Sequence, residues 1–205
     1  MLKNIVFDLG GVVVAHNEES FAEKLGEFFS FVFGPDMKCV PSFWCDYDLG
    51  VRTIDETAAS VAEYRKCSVE EAKANMLYAI SLQEEVEPTV RLIKELKERG
   101  YKLYVLSNMS KEYIEFLRKL SVFGYFDYEA VSCEVHLGKP NPKFYQYLLE
   151  HCGLNPSETI FIDDRHDNVE VAAELGITPF HFDRRNPEKA CEELREIIYN
   201  NKTHL

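Results

Sequence analysis

The chain of 205 residues carries 35 acidic against 23 basic side chains, a formal charge of −12, with Lys and Arg interspersed among Glu rather than gathered into a patch. Such a surface would repel a polyphosphate backbone, which excludes nucleic acid. It does not exclude a small anion, because a metal ion and one or two cations can dominate the field inside a pocket. The hydrophobic fraction of 46% and charged fraction of 28% are those of a soluble globular protein, and the apolar runs are far too short to span a bilayer, which excludes a membrane segment.

The length suits one large domain, or one domain with a smaller insertion. Cys39, Cys45, Cys67, Cys133, Cys152 and Cys191 form no C-x-x-C pair and read as reduced packing residues. The N-terminus enters an apolar run directly, without a signal segment, so residence in the cytoplasm is expected.

In chain order, Ile5, Val6 and Phe7 form a short apolar run of the kind that a parallel strand buried on both faces needs, and Asp8 cuts it. Leu9 and Gly10-Gly11 follow, so the acid stands where a strand yields to a backbone free to turn sharply. Asp8 either caps that turn or marks a ligand site, since ligands bind at such strand ends in open α/β sheets.

From about His16 to Glu85 the pattern turns helical. Phe21, Leu25, Phe28 and Phe29 recur at helical spacing, and Gly34-Pro35 closes that element. Thr53 and Glu56 read as a capping box opening a helix to about Lys66, and Ser68-Val69-Glu70-Glu71 repeats the signature for a helix to about Leu82. This stretch shows no strand signal and far exceeds a βα loop, so it is expected to be an inserted helical domain. Its aromatic cluster Phe43, Trp44 and Tyr47 suits either a pocket wall or, more commonly, the core of the insertion.

Beyond Pro88, strands and helices alternate. The spacing predicts a helix over Thr89–Arg99 and a strand Leu103–Leu106 that stops at Ser107-Asn108. Ser110 reads as the cap of a helix through Leu120, followed by a weaker strand Ala130–Cys133. The loop His136–Pro142 contains Lys139, and a helix over Phe144–Cys152 closes at Gly153. A strand Thr159–Ile162 ends in Asp163-Asp164, and a helix covers Asn168–Leu175. Pro179–Phe182 reads as a last strand, and a helix Glu188–Tyr199 precedes a polar tail. The result is an α/β fold: a Rossmann-like parallel-sheet core of residues 1–15 and 86–205, with an inserted α-helical cap of residues 16–85.

Parallel strands joined by right-handed crossovers place their C-terminal ends at one sheet edge. Asp8, Ser107 with Asn108, Lys139, and Asp163 with Asp164 should therefore meet in one crevice, although they span about 155 residues. Carboxylates, a hydroxyl and a lysine at four strand ends point to an anion-and-metal site.

Four motifs in this order, F-D-L-G-G at Phe7–Gly11, L-S-N at Leu106–Asn108, G-K-P at Gly138–Pro140 and F-I-D-D at Phe161–Asp164 with Asn168 beyond, resemble the haloacid dehalogenase-like superfamily. The resemblance is to members with a helical cap inserted after strand one, and it covers nearly the whole chain. It implies a phosphatase acting on a small phosphorylated metabolite, with Asp8 as nucleophile forming an aspartyl-phosphate. Ser107 and Lys139 would be catalytic and, with Asn108, would bind substrate. Asp8, the Gly10 carbonyl and Asp164 would hold Mg²⁺. The chemistry agrees, because a carboxylate attacks a phosphate dianion only where positive charge is supplied. Asp163 is left with alternatives: orienting Lys139 or metal waters, or capping a turn.

The pattern departs from most phosphatases of the superfamily at Gly10, where a second Asp would protonate the leaving oxygen. His16, His136 and His166 are the nearby candidates to replace it. The 2-haloacid dehalogenase branch, which also lacks that Asp, would have an aromatic residue at Leu9 and an early Arg, and the first Arg here is Arg52. A catalytically silent binding or regulatory protein is the third reading.

Overall fold

The computed structural model describes residues 1–33 and 40–200; the Gly34-Pro35 break, Cys39 and residues 201–205 of the tail lie outside them. Its centre is β1 (Asn4–Phe7), buried at every position and paired in parallel with β4 (Lys102–Ser107) on one side and β6 (Thr159–Asp163) on the other. β5 (Tyr128–Val131) and β7 (Thr178–His181) complete a five-stranded parallel sheet of order β5-β4-β1-β6-β7.

Side-chain alternation sorts the sheet into two apolar faces. Ile5, Phe7, Leu103, Val105, Ile160 and Ile162 pack with helices α6 (Glu87–Glu98) and α11 (Pro187–Asn200). Val6, Tyr104, Leu106 and Phe161 pack with α9 (Pro142–Cys152) and α10 (His166–Glu174). Burial of each large apolar side chain contributes roughly 1.5–3 kcal/mol, so covering both faces is what makes a sheet of such short strands stable. The bounding signals act locally. Pro88 enters the first turn of α6, where no N–H is needed, while Asn141 caps α9 through the Lys143 amide and Gly153 ends it in the left-handed region (φ 63°).

The segment after β1 leaves the sheet through β2 (Val14–His16) and returns through β3 (Gln83–Glu85), which pair antiparallel as a two-stranded ribbon. Between them lie α1 (Glu18–Lys24), α2 (Ser30–Phe33), α3 (Ser42–Asp48), α4 (Ile54–Arg65) and α5 (Val69–Ser81). These helices bury a cluster of their own, including Leu25, Phe29, Trp44, Tyr47, Val61 and Met76. Trp44 and Tyr47 thus serve the interior of the insertion. The capping box of α4 forms as expected, with Thr53 and Glu56 bonding each other's main chain.

Several expectations are corrected. The insertion does contain strands: Gln-Glu-Glu has no β-branched residue, and backbone pairing across the two chain crossings sets this ribbon, not propensity. The single helix expected through Phe29 stops after Lys24, with Gly26 just beyond, a residue costing about 1 kcal/mol in a helix interior. The strand expected at Ala130–Cys133 starts at Tyr128 and ends at Val131, because Ser132–Val135 wind into a short helix, α8. The helix after Ser110, α7 (Lys111–Leu117), is three residues shorter than expected, and the Ser110 side chain makes no capping bond. Among the described residues no helix is long and apolar enough to cross a membrane.

His16, on β2, lies against the Phe21 ring with centroids 4.2 Å apart, and burial pushes its imidazole down to about 4. A neutral imidazole near pH 7 is poorly suited to give a proton to a leaving oxygen. As pH falls from 6.5 toward about 4 only the unfolded chain takes up this proton, so up to about 3 kcal/mol of stability is lost in that window. Chemical denaturation of wild type and His16→Phe at about pH 7 and about pH 4.5 should show the smaller loss in the mutant. Equal losses would mean that the native state protonates His16.

Candidate active site

All four polar strand ends meet at the C-terminal edge of the sheet. Asp8 follows β1 as the chain enters a tight turn in which the Val14 amide donates to Leu9 O and the Gly11 amide to Val14 O. Gly10's own carbonyl takes no part in those bonds. Asp8 Oδ1 accepts from the Leu9 amide at 2.7 Å and from Ser107 Oγ at 2.7 Å, and it stands 2.8 Å from Lys139 Nζ. No recorded bond from a described residue falls on Oδ2, which leaves one oxygen for chemistry.

Lys139 is almost wholly buried, its ammonium held between Asp8 and Asp163 Oδ2, the latter at 2.6 Å. Burial alone would lower its pKa, but the two carboxylates outweigh it and the net shift is upward, so the cation persists. Asp163 is completely buried, and burial pushes its carboxyl up to about 6 against the pull of Lys139. At neutral pH the pair is ionic. Asp163 also accepts from the Arg165 amide and, through both oxygens, from Asn168 Nδ2 on α10. Of the alternatives open for it, these bonds carry out two: Asp163 orients Lys139 and, through the Arg165 amide, caps the turn after β6.

The Asn108 side chain is engaged within the protein. Its amide bonds the Lys139 main chain in both directions, Nδ2 to the carbonyl at 2.8 Å and Oδ1 from the amide at 2.7 Å. It fixes the lysine loop to the end of β4, and only its main chain stays free to meet a substrate.

Asp164 lies next to Gly11, where a Cβ would come within 2.8 Å of its Oδ2; with φ at +76°, that position suits glycine on both counts. Burial first, and then the neighbouring Asp163 charge, raises the Asp164 pKa, while Arg184 Nη1 approaches Oδ2 at 3.3 Å. Arg184, just beyond β7, is a fifth polar strand end that the same sheet-edge rule would have found. His136 Nδ1 meets Leu49 O, and His166 stacks on His181 with centroids 3.7 Å apart, so neither is aimed at Asp8 by a recorded bond.

Oxygens of Asp8, Asp163 and Asp164 all lie within 4.8 Å of one another. Three carboxylates face one buried ammonium, an excess of negative charge that a hard divalent cation with oxygen ligands would offset. Asp163 is engaged by Lys139 and Asn168, so Asp8 and Asp164 are the carboxylates of this group that could hold such an ion.

A family model for haloacid dehalogenase-like hydrolases matches residues 2–176. The chain belongs to that family. It is 25% identical over 213 residues to D-ribitol-5-phosphate phosphatase of Bacteroides thetaiotaomicron, covering 96% of this chain and 97% of that protein. It is also 25% identical over 198 residues to flavin mononucleotide hydrolase 1 of Arabidopsis thaliana, covering 96% and 78%. For several other curated relatives the matched stretch is under two thirds of their length. Among solved structures, an alanine mutant of a haloacid dehalogenase family enzyme from Bacteroides thetaiotaomicron, in complex with magnesium and inorganic phosphate, superposes with a TM-score of 0.71. It is 26% identical, with 90% of this chain and 95% of that one covered. This protein is therefore a haloacid dehalogenase-like hydrolase with phosphatases among its relatives.

Proposed function

We propose that this hydrolase is a Mg²⁺-dependent phosphatase of small phosphorylated metabolites, resident in the cytoplasm. The observation that carries the reading is the Lys139 ammonium held 2.8 Å from Asp8, with Ser107 donating to the same carboxylate oxygen. A bound Mg²⁺ would supply positive charge to the phosphoryl oxygens and lower the repulsion between two anions. Asp8 Oδ2 attacks phosphorus, the bond to the leaving oxygen breaks, and an aspartyl-phosphate forms. Water then attacks that phosphorus, releasing phosphate and restoring the carboxylate. Lys139 and Ser107 hold the phosphoryl oxygens, and Asp163 with Asn168 keeps Lys139 in place. Phosphate release from a panel of esters, with Mg²⁺ and after chelation, tests the reading; release that is indifferent to chelation sinks the metal assignment.

Residues 1–15 and 86–205 form the catalytic core in this reading, and residues 16–85 close over the crevice as a lid that excludes water and sets specificity.

Gly10 shapes the preferred ester. General-acid assistance is worth ~10² to 10⁴ in rate and matters most for leaving groups of high pKa. Without a side chain to give it, esters with more acidic leaving oxygens gain, and sugar 1-phosphates should be favoured over sugar 6-phosphates. Nothing lies within 4 Å of a Cβ built on Gly10, so Gly10→Asp has room. A plot of log kcat/KM against leaving-group pKa should slope steeply in wild type and flatten in Gly10→Asp; equal slopes would show that another group already delivers the proton.

A further inference from the structure

Arg184 stands at the sheet edge and has no part in the chemistry proposed above. It rides on the connection between β7 and α11, which holds it in place. The Phe182 amide donates to Asp163 O at 2.8 Å, continuing the pairing beyond the end of β7, and the buried Phe182 side chain anchors the chain there. Asp183 then opens a β-turn: its carbonyl accepts from the Asn186 amide at 3.1 Å, and its carboxylate from the Arg185 amide at 3.0 Å. Arg184 is the first corner residue of that turn. Its stem crosses the glycine turn after Asp8, with Cδ 3.5 Å from where a Cβ on Gly11 would stand, and Nη1 ends 3.3 Å from Asp164 Oδ2.

The contact is loose. An arginine that grips a carboxylate commonly uses two parallel bonds, and Arg165 holds Asp167 in that way, at 3.1 and 2.8 Å. Arg184 makes one long bond, and its side chain is 53% exposed against 8% for Asp164. The carboxylate is fixed in the wall of the site, while the guanidinium has water to withdraw into. Asp164 is also one of the two carboxylates suited to a divalent cation, and a guanidinium and such an ion on one carboxylate repel each other.

We propose that Arg184 is an internal competitor for the metal: it pairs with Asp164 when no divalent cation does and turns out into solvent when one binds, so it sets the free Mg²⁺ concentration at which the site fills. The proposal rests on the metal assignment of the phosphatase reading. A single and a double positive charge ~5 Å apart repel enough to change binding roughly tenfold even in water, and physiological salt screens about half of that energy. Loss of the guanidinium should therefore tighten Mg²⁺ binding about threefold to tenfold.

Mg²⁺ titration of the full chain, followed by calorimetry and by melting temperature with no substrate present, is the test. Arg184→Gln should lower the Mg²⁺ concentration at half-saturation about threefold or more, and Arg184→Lys, which keeps the charge, should stay closer to wild type. Arg185→Gln removes an equal charge from a neighbour whose recorded bond is made by its main chain, and should move the midpoint less than about twofold. Arg184→Gln should also melt below wild type without metal, a deficit that vanishes at saturating Mg²⁺ because the metal then replaces the lost partner. An unchanged or weakened affinity in Arg184→Gln, an equal shift in Arg185→Gln, or a deficit that persists at saturation overturns the proposal while the metal assignment stands. No Mg²⁺-induced change in wild type overturns both.

Discussion

Asp8→Asn should lower phosphate release by about 10⁴ or more while leaving the fold and the melting temperature nearly unchanged. The amide is isosteric, and its remaining oxygen can still accept from Ser107 and the Leu9 amide, so the scaffold around Asp8 survives. What disappears is the nucleophilic oxygen. Because Lys139 keeps Asp163 as a partner at 2.6 Å, the cation stays in the site and substrate should still bind. Binding measured by calorimetry alongside turnover therefore separates the two effects. Substantial turnover in the mutant would remove Asp8 from the role of nucleophile.

Lys139→Met should produce the opposite pattern, a large loss of stability along with activity. It leaves Asp8 and Asp163 facing each other, and removing one partner of a buried ion pair typically costs about 3–5 kcal/mol. The sign of its pH dependence follows. Asp163 is already raised to about 6 with the lysine present, and without it the native carboxyl is raised further above its unfolded value. The penalty is then full at alkaline pH and shrinks as pH falls through the raised native value. Metal-free denaturation at about pH 8 and about pH 5 should show the deficit relative to wild type narrowing at the lower pH, and Lys139→Met/Asp163→Asn should recover part of it. A deficit that is the same at both values, unrelieved in the double mutant, would mean lost packing and not an uncompensated charge.

The parallel sheet and its convergent strand ends were legible because buried strands are short apolar runs and each breaks on a conspicuous polar residue. That contrast brought out Asp8, Ser107 with Asn108, Asp163 with Asp164 and the loop that holds Lys139, while the role of each came only from the resemblance. The β2–β3 ribbon was not, since Gln83–Glu85 forms a strand through main-chain pairing with a segment almost seventy residues away in sequence, to which local propensity is blind. Asn108 was singled out for the same reason as Ser107, being polar at a strand end, and its reciprocal side-chain bonds to the Lys139 main chain could not be read from spacing. Contact between inserted helices and sheet-edge loops is a property of closure, and sequence spacing carries little of it.

The position of β1 at the middle of the sheet sets an order of events during synthesis. It is made before the other strands of the sheet, yet Asn4 pairs with Lys102 and Thr159, so its first neighbour is about a hundred residues away and its second more than 150. At ~5–20 residues per second the nascent strand waits several seconds for the first partner and longer for the second. The inserted helices, whose cluster draws on residues from Phe21 to Ala79, are complete well before then. The cap can thus be packed while the strand that bears Asp8 is still bare apolar chain, a natural client for a chaperone.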